Sequence, residues 1–140
     1  MDARFGVGWA LRIMLAVIFI PHSIGKLEYV ETFASKFHLS DTVSILTGVA
    51  ELLAVAGMIV GGLALSNNGW RRFAWPLTAL ATLAIWIVQI GAIVVARWPS
   101  WLEYADPPGM EYNVTILVIA ACVLWLTPWT GQRAVRTGGS

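Results

Sequence analysis

Apolar residues gather into four long runs along the chain, separated by short polar stretches. At a helical rise of about 1.5 Å per residue, about 20 apolar residues cross the hydrocarbon core of a bilayer. The pattern therefore predicts four transmembrane helices, at residues 5–27, 43–65, 73–96 and 110–129. In the polar stretch of residues 28–42, Phe33, Phe37 and Leu39 have the spacing of a short amphipathic helix on the membrane surface.

Composition assigns the class of protein. Hydrophobic residues make up 58% of the chain and charged residues only 12%, whereas about a quarter of the residues of a soluble domain are charged. We therefore predict an integral membrane protein with one domain over residues 1–140, folded as an all-α bundle. A net charge of +1 with scattered basic residues gives no case for nucleic-acid binding. Cys122 is the only cysteine, which excludes an internal disulfide, a CxxC pair and a thiolate metal cluster.

The basic residues predict which way the bundle faces. Arginines near the N-terminus, in the turn after the second run and in the C-terminal tail fall on one side of a four-span bundle. These are Arg4, Arg71, Arg72, Arg133 and Arg136. The positive-inside rule places this side, with both termini, in the cytoplasm. His22 and Lys26 at the end of the first helix, and Glu111 at the start of the last, then face outward, and the loop of residues 97–109 lies at the outer interface.

One carboxylate lies deep within an apolar run. Glu51 is about 12 Å below the nearer end of the second run, too deep for so short a side chain to reach the interface. A charge at membrane depth is costly and needs a partner inside the protein. Because Arg12 lies at a similar depth in the first run, we predict an Arg12–Glu51 ion pair. His22, Lys26 and Glu111 lie above it, and together these residues form a polar column that opens outward. A purely structural pair that fixes helix register is the alternative.

The second run carries two further signals. Gly57 and Gly61 form a GxxxG pair on a face about 100° away from Glu51, which predicts close helix packing within the bundle or, alternatively, in a homodimer. Ser40 or Asp41 can cap the first turn of this helix.

Two sequence segments and one glutamate follow each other in an order that can be compared with known membrane-protein families. The first segment, RIMLAVIFIPHSIGKL, begins at Arg12; the second, GVAELLAVAGMIVGG, contains Glu51; and Glu111 begins the last run. This arrangement resembles the DoxX family of small four-helix membrane proteins and covers nearly the whole chain. The chain departs from the family pattern at Gly-Met-Glu, where the family usually has Gly-Glu, and at its C-terminal sequence LTPWTGQRAVR.

The resemblance implies a membrane component of a quinone-linked redox system, in the cytoplasmic membrane of a bacterium or archaeon. In this interpretation His22 and Glu51 are catalytic: His22 donates to a quinone carbonyl and exchanges its proton through Glu51 or Glu111. Arg12, Lys26 and Glu111 bind the quinone. As alternatives, His22 hydrogen-bonds a backbone carbonyl or interfacial water, and Lys26 is an interface anchor. His22, Glu51 and Glu111 lack the spacing of a metal motif, so no metal is expected.

Three functions from different classes stay open. The first is a membrane subunit of a quinone-dependent oxidoreductase, and the second is a non-catalytic anchor that holds a partner protein at the membrane. The third is a small permease in which Glu51 carries a coupled proton, although the sequence has no sign of the inverted repeat or broken helix pair typical of transporters. In each case we expect contacts with membrane lipid and with either a partner subunit or a second copy of the chain.

Overall fold

The computed structural model describes residues 3–97 and 110–128, and this part of the chain is helical apart from short turns. Its helices are α1 (Ala3–Glu28), α2 (Val30–Lys36), α3 (Asp41–Ser66), α4 (Arg71–Ala92) and α5 (Met110–Leu126). At its end α4 continues as a π-helical turn over Ile93–Arg97. Residues 98–109 of the predicted loop 97–109, the last residue of the predicted fourth span and the C-terminal arginines lie outside the described residues.

Three of the helices are long and apolar enough to cross a bilayer, which indicates a multi-pass membrane protein. They cover Ala3–Glu28, Asp41–Ser66 and Arg71–Val95. The fourth is apolar but shorter, with 17 residues in α5, and it ends three residues before the predicted boundary. The reason lies in Pro128, because a proline disfavours helical geometry in the residue that precedes it, here Thr127.

The four longer helices form a ring. Helix α3 packs against α1 and α4, and α5 packs against α4 and α1. Consequently α1 lies opposite α4, and α3 lies opposite α5. The short helix α2 packs on α3 and α1, at the end of the bundle where α1 ends and α3 begins; we call this the α2 end.

The inner and outer faces of the helices differ as expected for a bundle in lipid. The centre is filled by buried apolar side chains, with Leu15, Met58 and Ile85 fully enclosed. On outer faces, large apolar side chains such as Val17 and Leu53 are exposed. Such exposure would be costly in water and is favourable in lipid.

Close packing of α3 on α4 depends on the predicted glycine pair. A Cβ atom at Gly57 would lie 3.1 Å from Cβ of Ala81, and one at Gly61 would lie 2.5 Å from Oγ1 of Thr78 and 3.2 Å from the carbonyl oxygen of Ala74. A side chain at either position would hold the two helices apart. The GxxxG pair therefore serves packing within the bundle, the first of the two predicted uses.

A short helix does form in the predicted stretch of residues 28–42. This helix, α2, includes Phe33 but ends before Phe37 and Leu39, and the chain then turns at His38, whose φ of 53° lies in the left-handed region. The predicted cap of α3 is confirmed. Ser40 caps α3, because its Oγ accepts a hydrogen bond of 3.3 Å from the backbone N–H of Val43.

Candidate functional site

Glu51 is paired with a lysine in the interior of the bundle. Its side chain is only 1% exposed, and Oε1 accepts a hydrogen bond of 2.7 Å from Nζ of Lys26, which is 6% exposed. Oε2 accepts a second hydrogen bond, of 3.0 Å, from Oγ of Ser23. Since Ser23 and Lys26 lie three residues apart on α1, one helical turn holds both carboxylate oxygens.

The predicted Arg12–Glu51 ion pair is therefore wrong. Gly48, one turn before Glu51, packs against Leu27 and the carbonyl oxygen of Ser23, which sets Glu51 level with the last turns of α1. Side chains of a helix lean toward its N-terminus, so Lys26 reaches back to the carboxylate. Arg12 lies eleven residues before Ser23, which is about 16 Å along the helix.

Arg12 instead joins the helices at the opposite end of the bundle. Its side chain is 2% exposed. Nε donates to the carbonyl oxygen of Met58 at 3.1 Å, and Nη1 donates to that of Gly8 at 3.1 Å. Nη2 donates to Oγ1 of Thr127 at 2.6 Å and, more weakly, to Oγ1 of Thr78 at 3.5 Å. Neutral oxygen atoms from α1, α3, α4 and the residue after α5 thus share the buried guanidinium.

A cavity of about 660 Å³ lies at the α2 end, with Glu51 on its wall. We call it the Glu51 cavity. All five helices line it, and its volume is typical of sites for small organic ligands. Its aromatic wall consists of Phe19, Phe33, Phe37 and Tyr112.

The cavity brings together three of the five predicted site residues. Glu51 and Lys26 line it as an ion pair, and His22 lines it with an exposed side chain. Arg12 belongs to the other polar network, and Glu111 lies half-buried in the first turn of α5; neither lines the cavity. Among the described residues, no group of three His, Cys, Asp or Glu side chains is placed to hold a metal ion.

The ammonium of Lys26 also contacts an aromatic ring. Nζ lies 5.1 Å from the ring centroid of Phe33 on α2, within the range of a cation–π interaction. The short helix therefore helps to position the ion pair, a role that the amphipathic pattern of residues 28–42 could not reveal.

A buried amide pair adds a second polar group to the cavity wall. Nδ2 of Asn113 on α5 donates to Oε1 of Gln89 on α4 at 2.5 Å, and both residues line the cavity. Oδ1 of Asn113 is buried without a hydrogen-bond partner among the described residues. The sequence signal was that Gln89 is strongly polar within an apolar run, but the partner on α5 could be found only from the fold.

The helix geometry changes beside the cavity. Val95 lines the cavity and belongs to the π-helical turn Ile93–Arg97. Short π-helical turns occur frequently at functional sites.

The chain matches no protein-family model, no curated protein and no solved structure. Membership of the DoxX family therefore stays a prediction from the segments around Arg12, Glu51 and Glu111.

Proposed function

We propose that the protein is a membrane subunit of a quinone-linked redox system and that the Glu51 cavity receives the quinone head group. The observation that carries this proposal is the cavity itself, which combines aromatic walls with a buried Lys26–Glu51 ion pair. A charged pair beside aromatic rings suits a flat ring that carries polar oxygen atoms.

The proposal includes four spans with both termini in the cytoplasm of a bacterium or archaeon. With 17 residues, α5 is about 26 Å long, slightly less than the ~30 Å of a hydrocarbon core. It completes the ring by packing on α1 and α4. Arg71 and Arg72 begin α4 at the end opposite α2, so the positive-inside rule directs the Glu51 cavity to the outer side.

The polar groups of the cavity fit a quinone. Among the described residues, the hydrogen-bond acceptor of Lys26 is Glu51, which leaves two of the three N–H groups for a carbonyl oxygen. The Asn113–Gln89 amide pair contributes a second polar stretch to the cavity wall.

A bound quinone would supply two-electron, two-proton redox chemistry, with the electrons coming from a partner redox protein. Lys26 would hold a carbonyl oxygen, and Glu51 orients Lys26 by accepting its hydrogen bond. Ser23 in turn holds the carboxylate by donating to Oε2. His22 lies exposed on the cavity wall, where a ring nitrogen can exchange a proton with water at the membrane surface.

The anchor function is the second candidate, and Arg12 is the observation that favours it. The guanidinium of Arg12 donates hydrogen bonds to oxygen atoms of several helices, which supports a structural role for buried charges in this bundle. If Lys26 and Glu51 have the same role at the α2 end, the protein has no redox chemistry of its own.

Mass analysis of quinones extracted from the purified protein separates the two functions. Wild type is expected to retain quinone, and Glu51→Gln and His22→Ala are expected to lose it. Glu31→Gln and His38→Ala are the matched controls, because both side chains are exposed and lie outside the cavity lining. If folded wild-type protein retains no quinone, the anchor function is favoured.

A further inference from the structure

Part of the cavity wall is also part of the outer surface of the bundle. Ile87, Gly91 and Val95 follow each other at four-residue intervals along α4 and its π-helical turn, so they share one face. All three line the Glu51 cavity and all three are exposed, Ile87 by 64% and Val95 by 57%. The cavity therefore reaches the surface along this stripe.

The depth of the stripe indicates that it faces lipid. Ile87 lies eight residues before Val95, about 12 Å deeper along the helix. The stripe lies within Arg71–Val95, which is long and apolar enough to cross a bilayer. An opening that extends this far down an apolar helix leads sideways into the hydrocarbon region, and not only upward into water.

The other side of the opening belongs to α2 and the start of α3. Leu39 and Val43 line the cavity there, and Val43 is exposed. Helix α2 packs on α1 and α3, and α4 is not among its packing partners in the described part of the chain. No helix in the described ranges bridges the gap between α2 and the exposed stripe of α4.

We propose that this gap is a lateral portal through which the apolar tail of a membrane-dissolved ligand extends while its polar head occupies the Glu51 cavity. The proposal rests on the quinone function above and specifies the class of ligand further: a flat polar head attached to a long isoprenoid chain. A tail that stays in lipid avoids the cost of exposing apolar surface to water, so the head can reach Lys26 without the molecule leaving the bilayer.

Gly91→Leu tests the portal directly. A Cβ atom at Gly91 meets no other atom within 4 Å, so the new side chain fills the gap without displacing the backbone. Gly6→Leu is the matched control, because Gly6 has the same open surroundings near the opposite end of α1. The probes are ubiquinone and menaquinone with full isoprenoid tails, and the corresponding tail-less benzoquinone and menadione head groups.

We expect Gly91→Leu to lower the affinity for both tailed quinones about tenfold more than the affinity for the tail-less head groups, because Gly91 also lines the cavity that holds the head. The melting temperature should stay unchanged. Gly6→Leu should match wild type with every probe. Undiminished binding of tailed quinones by Gly91→Leu overturns the portal but not the quinone site, and so does an equal loss with tailed and tail-less probes. If wild type binds none of the probes, the quinone function itself fails, and the portal fails with it.

A second pair of variants narrows the same gap from a deeper position. Ile87→Trp adds bulk to the exposed stripe, and Leu80→Trp adds the same bulk to an exposed position on α4 that does not line the cavity. The portal requires that Ile87→Trp weaken binding of tailed quinones and that Leu80→Trp leave it unchanged. Equal affinities in the two variants would overturn it even if Gly91→Leu failed to fold.

Discussion

The Lys26–Glu51 ion pair can be separated into its structural and functional parts by removing one charge or both. Lys26→Met keeps most of the length of the side chain but leaves a buried carboxylate without its cation. We expect this variant, and likewise Glu51→Leu, to lose about 3–5 kcal/mol of unfolding free energy. The double variant Lys26→Met/Glu51→Leu should stay within about 1 kcal/mol of wild type, because an apolar pair of similar volume can replace a buried ion pair.

The geometry of the pair explains why the two single variants and the double variant differ. At the observed 2.7 Å between Nζ and Oε1, two unit charges attract each other by ~6 kcal/mol at an effective dielectric constant of about 20. Removing two ions from water costs several kcal/mol for each, so the pair gains little overall. When one partner is removed, the cost for the other remains and the attraction is lost.

The assay is a double-mutant cycle on the purified protein in mild detergent, followed by denaturant unfolding and by mass analysis of retained quinone. Lys36→Met is the stability control, because Lys36 also lines the cavity but is exposed. A double variant as unstable as the sum of the single variants would refute the ion-pair reasoning. A stable double variant that still retains quinone would refute the proposed role of Lys26 and Glu51 in binding, and only a stable variant without quinone supports both parts.

Three further substitutions test the packing and the polar groups. Arg12→Ala removes hydrogen bonds to several helices and should lower the unfolding free energy by ~3 kcal/mol or more. The control Arg72→Ala, at an exposed position, should change it by less than about 0.5 kcal/mol. Similar melting temperatures for the two variants would contradict this prediction. Gly61→Ala should lower the unfolding free energy by about 1–3 kcal/mol, because the added methyl group overpacks the contact between α3 and α4. Gly6→Ala, in open surroundings, should be neutral or slightly stabilising in the same unfolding assay. Gln89→Leu should lower the unfolding free energy by about 1–3 kcal/mol, because it leaves the buried Nδ2 of Asn113 without its acceptor. An unchanged unfolding free energy would argue against a stabilising amide pair.

The helices were predictable because their signal is local. Runs of apolar residues long enough to cross a bilayer gave the first two long helices to within two residues at each end, since residues 5–27 became Ala3–Glu28 and residues 43–65 became Asp41–Ser66. The end of α5 was less predictable. Thr127 leaves the helix before Pro128, and its hydroxyl accepts the hydrogen bond of Arg12 from across the bundle.

The pairing of the charges could not be predicted from depth alone. Counting residues from the ends of the apolar runs placed Arg12 and Glu51 within one side-chain length of each other. The helices extend beyond those runs, and the packing of Gly48 on the last turns of α1 sets the actual level of Glu51. The direction in which Lys26 leans then decides the partner, and a residue count includes neither effect.

The amide pair shows a different limit. Gln89 is the one strongly polar residue within the apolar run 73–96, and Asn113 lies close to the start of the next helix, so each could be singled out. Their contact follows from the packing of α5 on α4, which brings the end of one helix beside the start of the other. An unpartnered buried oxygen such as Oδ1 of Asn113 depends on the position of every neighbouring side chain, and only the folded structure reveals it.

The two buried cations differ in how their hydrogen-bond donors are used, and the proposed site at Lys26 rests on this difference. The N–H groups of Arg12 donate hydrogen bonds to oxygen atoms of Gly8, Met58 and two threonines. These hydrogen bonds connect the helices to one another. Lys26 has one carboxylate partner, lies beside an aromatic ring and lines a cavity. Both side chains are buried, Lys26 at 6% and Arg12 at 2% exposed, so they differ in their partners and not in their burial. The cavity beside Lys26 and its remaining N–H groups are therefore the reason to propose that a ligand binds there and not at Arg12.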